Sequence, residues 1–174
     1  MAEGARRHGF PVEVARFEDW EPGDRTFDAV VAGQTWHWVD PVAGAAKAMR
    51  VLRPGGRLAL FWNTVKPSAE AAATFAAVYR RAAPSLPFDP WAGADPYRTV
   101  VEAASAGLDD PEVWRFAWER EYTRDAWLDQ VPTAGGHHLL PPAELAALLR
   151  GLAEVTPDRF AMPYETVVVT ATRG

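Results

Sequence analysis

The sequence predicts an α/β fold, on three observations. Phe27 to Gly33 (FDAVVAG) and Arg57 to Asn63 (RLALFWN) are short, nearly unbroken apolar runs, the pattern of strands buried on both faces of a parallel sheet. Between them, from Asp40 to Leu52, apolar residues recur at helical spacing. Near the end of the chain, Thr166 to Thr172 (TVVVTAT) is a β-branched run suited to a strand. A strand, a helix and a strand in succession join parallel strands by a right-handed crossover.

Each element has a local cause. FDAVVAG is apolar apart from Asp28 and reads as an interior strand. Asp40 supplies a helix cap, Pro41 is tolerated in a first turn, and Val42, Ala45, Met49 and Leu52 share one face of a helix of about three turns. Arg53, Pro54, Gly55 and Gly56 then stop the helix as a turn; they precede a strand, not a helix, so they are no phosphate loop. Ser68 to Ala83 is Ala-rich, with Phe75, Val78 and Tyr79 on one side of a further helix. Pro84 to Pro96 carries four Pro and one Gly and reads as a surface loop, followed by a short helix over Tyr97 to Ala106. Trp114, Phe116 and Trp118 alternate with Arg115, Ala117 and Glu119, which predicts a half-exposed, antiparallel strand with its aromatic face in the core. Leu145, Leu148, Leu149 and Leu152 form a helical stripe after Pro141 and Pro142. No internal repeat interrupts the chain, which reads as a single domain over 1–174 with a cap-like insertion at about 84–140.

Composition narrows the function classes. At 174 residues, 48% of them apolar and eight of them Trp, the chain buries a core of its own. It has no Cys, which removes disulfides and thiolate metal sites, and its four His show no His-x-His or His-x3-His spacing, so no metal is expected. His137 and His138 follow Gly135 and Gly136 and read as substrate-pocket or loop residues. A formal net charge of −5 is opposite to a nucleic-acid binder's footprint. No apolar run approaches the ~20 residues that span a bilayer, and MAEGARRHGF lacks a signal peptide's apolar centre, so no membrane partner and a cytoplasmic location are expected.

The run from Phe27 to Asn63, and within it VLRPGGRL (51–58) and QTWHWVDP (34–41), resembles class I S-adenosylmethionine-dependent methyltransferases of the small-molecule type. The resemblance makes 27–63 the fourth strand, following helix and fifth strand of a Rossmann-like sheet ordered 3-2-1-4-5-7-6. PYETVVVTATR (163–173) fits its antiparallel final strand. It places Met1 inside the helix after the second strand and makes PVEVARFED (11–19) the third strand and its turn. The family's Gly-rich GxGxG loop and its ribose-binding acidic residue have no counterpart here, as if the first ~50 residues were missing from an incomplete, mostly parallel sheet. FDAVVAG then has an unpaired edge open to a homodimer or a partner chain.

The resemblance also assigns roles. Phe17 and Glu18, in the turn with Arg16, contact the adenine, with Phe17 stacking on it; the alternative is a core Phe17 beside solvated turn acids. Gln34 sits beside the cofactor, and Trp36, His37 and Trp38 face the acceptor; an aromatic face also stabilises a sulfonium cation, and either Trp could simply be packing. His37 is the candidate general base for a hydroxyl or carboxyl acceptor, whereas a carboxylate needs none. Asp28 is read as structural turn chemistry. The implied function is methyl transfer from S-adenosylmethionine to a small molecule. The alternative is a non-catalytic remnant or interaction module that needs a second chain to complete its sheet.

Overall fold

The strand–helix–strand unit at 27–63 is present in the computed structural model, which describes residues 2–87, 90–91, 102 and 111–174. The described elements are α1 (Ala2–Arg7), β1 (Phe27–Gly33), a 3-10 turn (Trp36–Trp38), α2 (Pro41–Val51), β2 (Leu52–Val65), α3 (Ala69–Ala82), β3 (Glu112–Thr123), α4 (Arg124–Leu128), 3-10 turns at Val131–Thr133 and His137–Leu139, α5 (Pro142–Val155) and β4 (Arg159–Thr172). The four strands form one mixed sheet in the order β1-β2-β4-β3, with β1 and β2 parallel and the rest antiparallel: an α/β, incomplete Rossmann-like sheet. The short helix predicted over 97–106, apart from residue 102, part of the loop at 84–96 and part of the insertion at 84–140 lie outside the described residues. No helix among the described residues is long and apolar enough to cross a membrane.

Two compact units divide the chain: Met1–Trp62, Thr99–Trp114 and Val168–Gly174 in the first, Asn63–Arg98 and Arg115–Val167 in the second. In the first, the Asp40 carboxylate accepts the Val42 and Ala43 N–H groups and Pro41 occupies the first helical position, so α2 starts where the sequence predicts. Its buried residues are Gly44, Ala45, Lys47, Ala48 and Val51. The helix runs straight into β2 at Leu52, and the Arg-Pro-Gly-Gly segment is not the plain turn the sequence predicts. It is a bulge inside β2: Phe27 pairs with Leu52, yet Ala29 pairs with Arg57. Gly55 takes φ +76°, and a Cβ on Gly56 would lie 2.8 Å from the Arg53 carbonyl oxygen and 3.1 Å from that of Asp28. Backbone bonds from Gly55 N–H to Arg173 O and from Arg173 N–H to Gly56 O, each 2.8 Å, keep the bulge in the sheet.

Two further expectations are corrected in this unit. β1 is not the interior strand its apolar composition suggests but an edge strand, as the resemblance with its missing strands implies: among the described residues no strand pairs with its second side, and Val31 is 62% exposed. Residues 11–19 form no strand. With no described neighbour to share a ladder, side chains hold this segment instead. Trp20 Nε1 donates to Glu13 at 2.6 Å, Arg25 pairs with Glu13 at 2.5 Å and lies over the Trp20 ring at 5.1 Å. The Arg25 and then the Trp20 hydrogen bonds pull the Glu13 carboxyl down to about 2.

The second unit is built on α3 and α5. They approach closely enough that a Cβ on Gly151 would lie 2.8 Å from Val78 Cγ1. Phe75, Val78, Tyr79, Tyr122, Trp127, Leu148, Leu152 and Met162 belong to one buried cluster. The aromatic face of β3 is not the core face the alternation predicts, because β3 is the sheet's other edge. Trp114, Phe116 and Trp118 are 42%, 53% and 37% exposed. Trp118 stacks on Tyr164 at 4.4 Å, with its indole N–H on Thr166 Oγ1 at 2.9 Å.

Urea denaturation tests these packing arguments. Leu148→Ala, which empties a fully buried position, is expected to lower the unfolding free energy by ~2–5 kcal/mol. Gly56→Ala is expected to cost ~1–3 kcal/mol, because the new methyl meets backbone, which cannot step aside. Gly135→Ala, with open space at its Cβ, should stay within ~0.5 kcal/mol of the unsubstituted chain.

Candidate functional site

The candidate site lies in the first unit, where the chain leaves the carboxyl end of β1. Gly33 closes the strand, and a side chain there would enter the space of the Phe61 ring, since a Cβ would lie 2.6 Å from its Cζ. Gln34 then turns the backbone sharply with φ +55°, a left-handed conformation that costs a non-glycine residue roughly 1–2 kcal/mol. Its N–H donates to the Phe61 carbonyl at 2.9 Å. Strain of this kind is concentrated at ligand-handling turns. Trp36 to Trp38 follow as a single 3-10 turn, and Asp40 opens α2.

The turn sends its aromatic residues in different directions. Trp36 is 3% exposed and its six-membered ring rests on Gly44 of α2, where a Cβ would be 3.0 Å from Cζ2. Its Nε1–H has no acceptor among the described residues. Phe17 reaches the same place from the 16–20 segment, its ring tilted 54° to Trp36 with centroids 5.8 Å apart. Trp38 is 79% exposed, and His37 lies against it at 5.0 Å. Partial burial pushes the His37 imidazole below its ordinary pKa, favouring the neutral ring.

Glu18 stands beside this turn with a side chain only 10% exposed. Its Oε1 accepts the Asp40 backbone N–H at 2.8 Å and lies 3.5 Å from Arg16 Nη2. The Asp40 bond is the main cause of a carboxyl pKa below the usual range. Asp19 remains exposed, 3.8 Å from Arg16. Asp28 ion-pairs with Arg53 at 2.7 Å, away from the turn at the other end of β1.

The structure thus brings Phe17 and Trp36 into ring contact and ties Glu18 to the end of their loop, whereas Trp38 stands out in solvent. Sequence reasoning missed Lys47, which is 8% exposed and donates from Nζ to the Trp20 carbonyl at 2.6 Å. Its signal was legible in principle: a Lys between Gly44 and Ala48 falls on the buried stripe of α2. His137, expected in a pocket or loop, is 2% exposed in the core of the second unit. Its Nδ1 faces the Ala134 and Gly135 carbonyls at 3.2 and 3.3 Å, so Nδ1 carries the proton and Tyr79 Oη donates to Nε2 at 2.8 Å. His138 is exposed. Among the described residues no three His, Asp or Glu come together as a metal site.

Residues 1–60 match the family model described as a methyltransferase domain. Uncharacterised methyltransferases of Mycobacterium tuberculosis and Mycobacterium bovis are each 58% identical to this chain over 41 residues, 24% of this chain and 17% of theirs. A methyltransferase-like protein of Schizosaccharomyces pombe is 35% identical over 72 residues, 40% of this chain and 28% of that protein. The matched stretches therefore span less than a third of these relatives. Among solved structures, a candidate type II methyltransferase from Anaeromyxobacter dehalogenans superposes with a TM-score of 0.56 at 21% identity, over 92% of this chain and 70% of the other. The YcgJ protein of Bacillus subtilis gives 0.52 at 14% identity, over 99% and 76%. At such identities the likeness is one of fold, and it agrees with the family match in sequence. The match to a methyltransferase domain thus covers residues 1–60, and the likeness of fold to methyltransferase structures extends over most of the chain.

Proposed function

We propose that the chain serves S-adenosylmethionine-dependent methyl transfer to a small-molecule acceptor. The observation that carries this is the Phe17–Trp36 pair at the carboxyl end of β1, with a buried indole N–H that lacks an acceptor among the described residues. A buried donor without a partner costs ~1–3 kcal/mol, and a ligand acceptor that meets it recovers that cost. The donor set fits S-adenosylmethionine in part: Phe17 offers a face to the adenine, and the strained turn at Gln34 brings backbone to the same edge. When bound, the cofactor supplies an electrophilic methyl group on a sulfonium centre. The chain's own residues align donor and acceptor and exclude water. Phe17 and Gln34 hold the donor side, Trp36, His37 and Trp38 the acceptor side, and His37 is the base that takes the proton of a hydroxyl acceptor.

A second proposal rests on the open edge of β1, where Val31 is exposed. In it, the chain completes its sheet through a homodimer or a partner chain, and alone it is a non-catalytic module. Light scattering combined with calorimetric titration of S-adenosylmethionine separates the two. Micromolar binding by a monomer supports the first; binding that appears only with assembly supports the second; no binding in either state counts against methyl transfer by this chain.

Two outcomes are specific to the assigned residues. Phe17→Ala is expected to weaken S-adenosylmethionine binding by ~10-fold or more, since stacking of a base on an aromatic ring is worth ~1–3 kcal/mol. For a hydroxyl acceptor, turnover should rise with pH through the range below 6.5 and level off by neutrality, because a base must be unprotonated and His37 is shifted down. His37→Ala should remove that rise and lower turnover ~100-fold or more; turnover unchanged across pH would end the base assignment. The same shift has a stability sign: the unfolded chain binds the proton more readily, so the His37 contribution destabilises the fold as pH falls through and below 6.5.

A further inference from the structure

We propose that Glu18 is a positioning residue that completes the cap of α2 from a distant segment, joining the turn at 16–20 and the loop at 34–39 into one preassembled edge. What that edge binds rests on the function proposed above; the tie itself does not. A helix start leaves its first N–H groups without intrahelical acceptors. Asp40 Oδ1 takes those of Val42 and Ala43, at 3.0 and 2.8 Å. In a local capping box, a Glu or Gln three residues after the cap would reach back to the cap residue's own N–H. That position is Ala43, which has nothing to offer. Glu18 supplies the missing acceptor from 22 positions upstream, with Oε1 2.8 Å from Asp40 N. Two carboxylates thereby meet the positive end of α2, where negative charge is favoured.

Two further ties make this a clamp. Lys47, almost two turns along α2, donates from a buried Nζ to the Trp20 carbonyl at 2.6 Å. Phe17, between the two, lies against Trp36. The 34–39 loop is held at one end by Gln34 N–H on Phe61 O and at the other by Asp40 N–H on Glu18. Its backbone is therefore ordered before any ligand arrives, and that ordering is not charged against binding. Sequence resemblance places Glu18 in contact with the adenine; in the structure its Oε1 is already committed to Asp40. What the position needs first is an acceptor atom at this reach, to which the negative charge adds a smaller share.

The test is amide exchange of Asp40 in the full chain labelled with nitrogen-15, with thermal melting to confirm folding of each variant. Glu18→Ala should accelerate exchange of the Asp40 amide by ~10-fold or more, as loss of a charge-assisted hydrogen bond does. Glu18→Asp, which keeps the charge and shortens the reach, should do the same and serves if the alanine variant fails to fold. Glu18→Gln, which keeps reach and an acceptor oxygen, should stay within about threefold, as should Asp19→Ala. An unchanged Asp40 amide in Glu18→Asp, or a Gln variant as fast as the Asp variant, overturns the proposal. Where the chain binds S-adenosylmethionine, affinity should follow the same order, with Gln retained and Asp weakened; the opposite order would make Glu18 a direct ligand and also overturns it. A chain that binds no S-adenosylmethionine counts against the proposed function, while the exchange result still decides the clamp.

Discussion

The start of α2 is the constraint on which the candidate site depends. A helix must find acceptors for its first N–H groups, and here Asp40 and Glu18 provide them from two parts of the chain. Because Asp40 also ends the loop that leaves β1, meeting the needs of the helix fixes the loop. Because Glu18 belongs to the 16–20 turn, the same bonds fix that turn. Trp36 is then pressed onto Gly44, a position where α2 has no side chain, and Phe17 closes over it. Local helix chemistry thereby places the aromatic pair, without any residue devoted to that purpose alone.

The parallel pairing of β1 with β2 sets where that loop begins. Five residues of β2 pass while β1 advances by two, and the Arg-Pro-Gly-Gly bulge absorbs the difference next to the end of α2. Arg173 accepts and donates the displaced backbone bonds, so the bulge leaves the ladder from Ala29–Arg57 to Gly33–Phe61 regular. Gly33 and Phe61 consequently end side by side, and the Gln34 N–H in the strained turn donates to the Phe61 carbonyl. The strain sits at the end of a well-paired strand, where the surrounding structure can sustain it.

How much of this was legible from the residues depends on distance along the chain. α2, α5, β2 and β4 follow from periodicity and caps contained within each segment, and the structure places them accordingly. The Pro-Gly-Gly stop was legible as a helix end, but not as a bulge, because its backbone partner is Arg173. Alternation at Trp114, Phe116 and Trp118 identifies a strand but cannot say whether another layer covers it, and none buries these rings. For FDAVVAG the apolar character alone fits a central strand, and only the resemblance, with its missing neighbouring strands, implied the edge position it holds among the described residues. At the site, the location after β1 was legible from strand and cap signals. The bonds that organise it were not: Glu18 to Asp40 spans 22 residues and Lys47 to Trp20 spans 27. His137 illustrates the same limit, since its partner Tyr79 lies 58 positions away.

The two edges of the sheet are protected unequally, and this bears on how the chain works. A strand edge exposes backbone groups that recruit further strands, and charged side chains discourage it. β3 carries Glu112, Arg115, Glu119, Arg120 and Glu121 along its length, with every residue from Glu112 to Glu121 exposed. β1 carries only Asp28, and that charge is paired with Arg53 at 2.7 Å. The remainder of β1, from Ala29 to Gly33, is apolar or glycine and has nothing to repel a neighbour. Addition of a strand is therefore resisted at β3 and tolerated at β1. Since the Gln34 turn begins where β1 ends, a strand added there would lie directly beside the loop that carries Trp36 and His37.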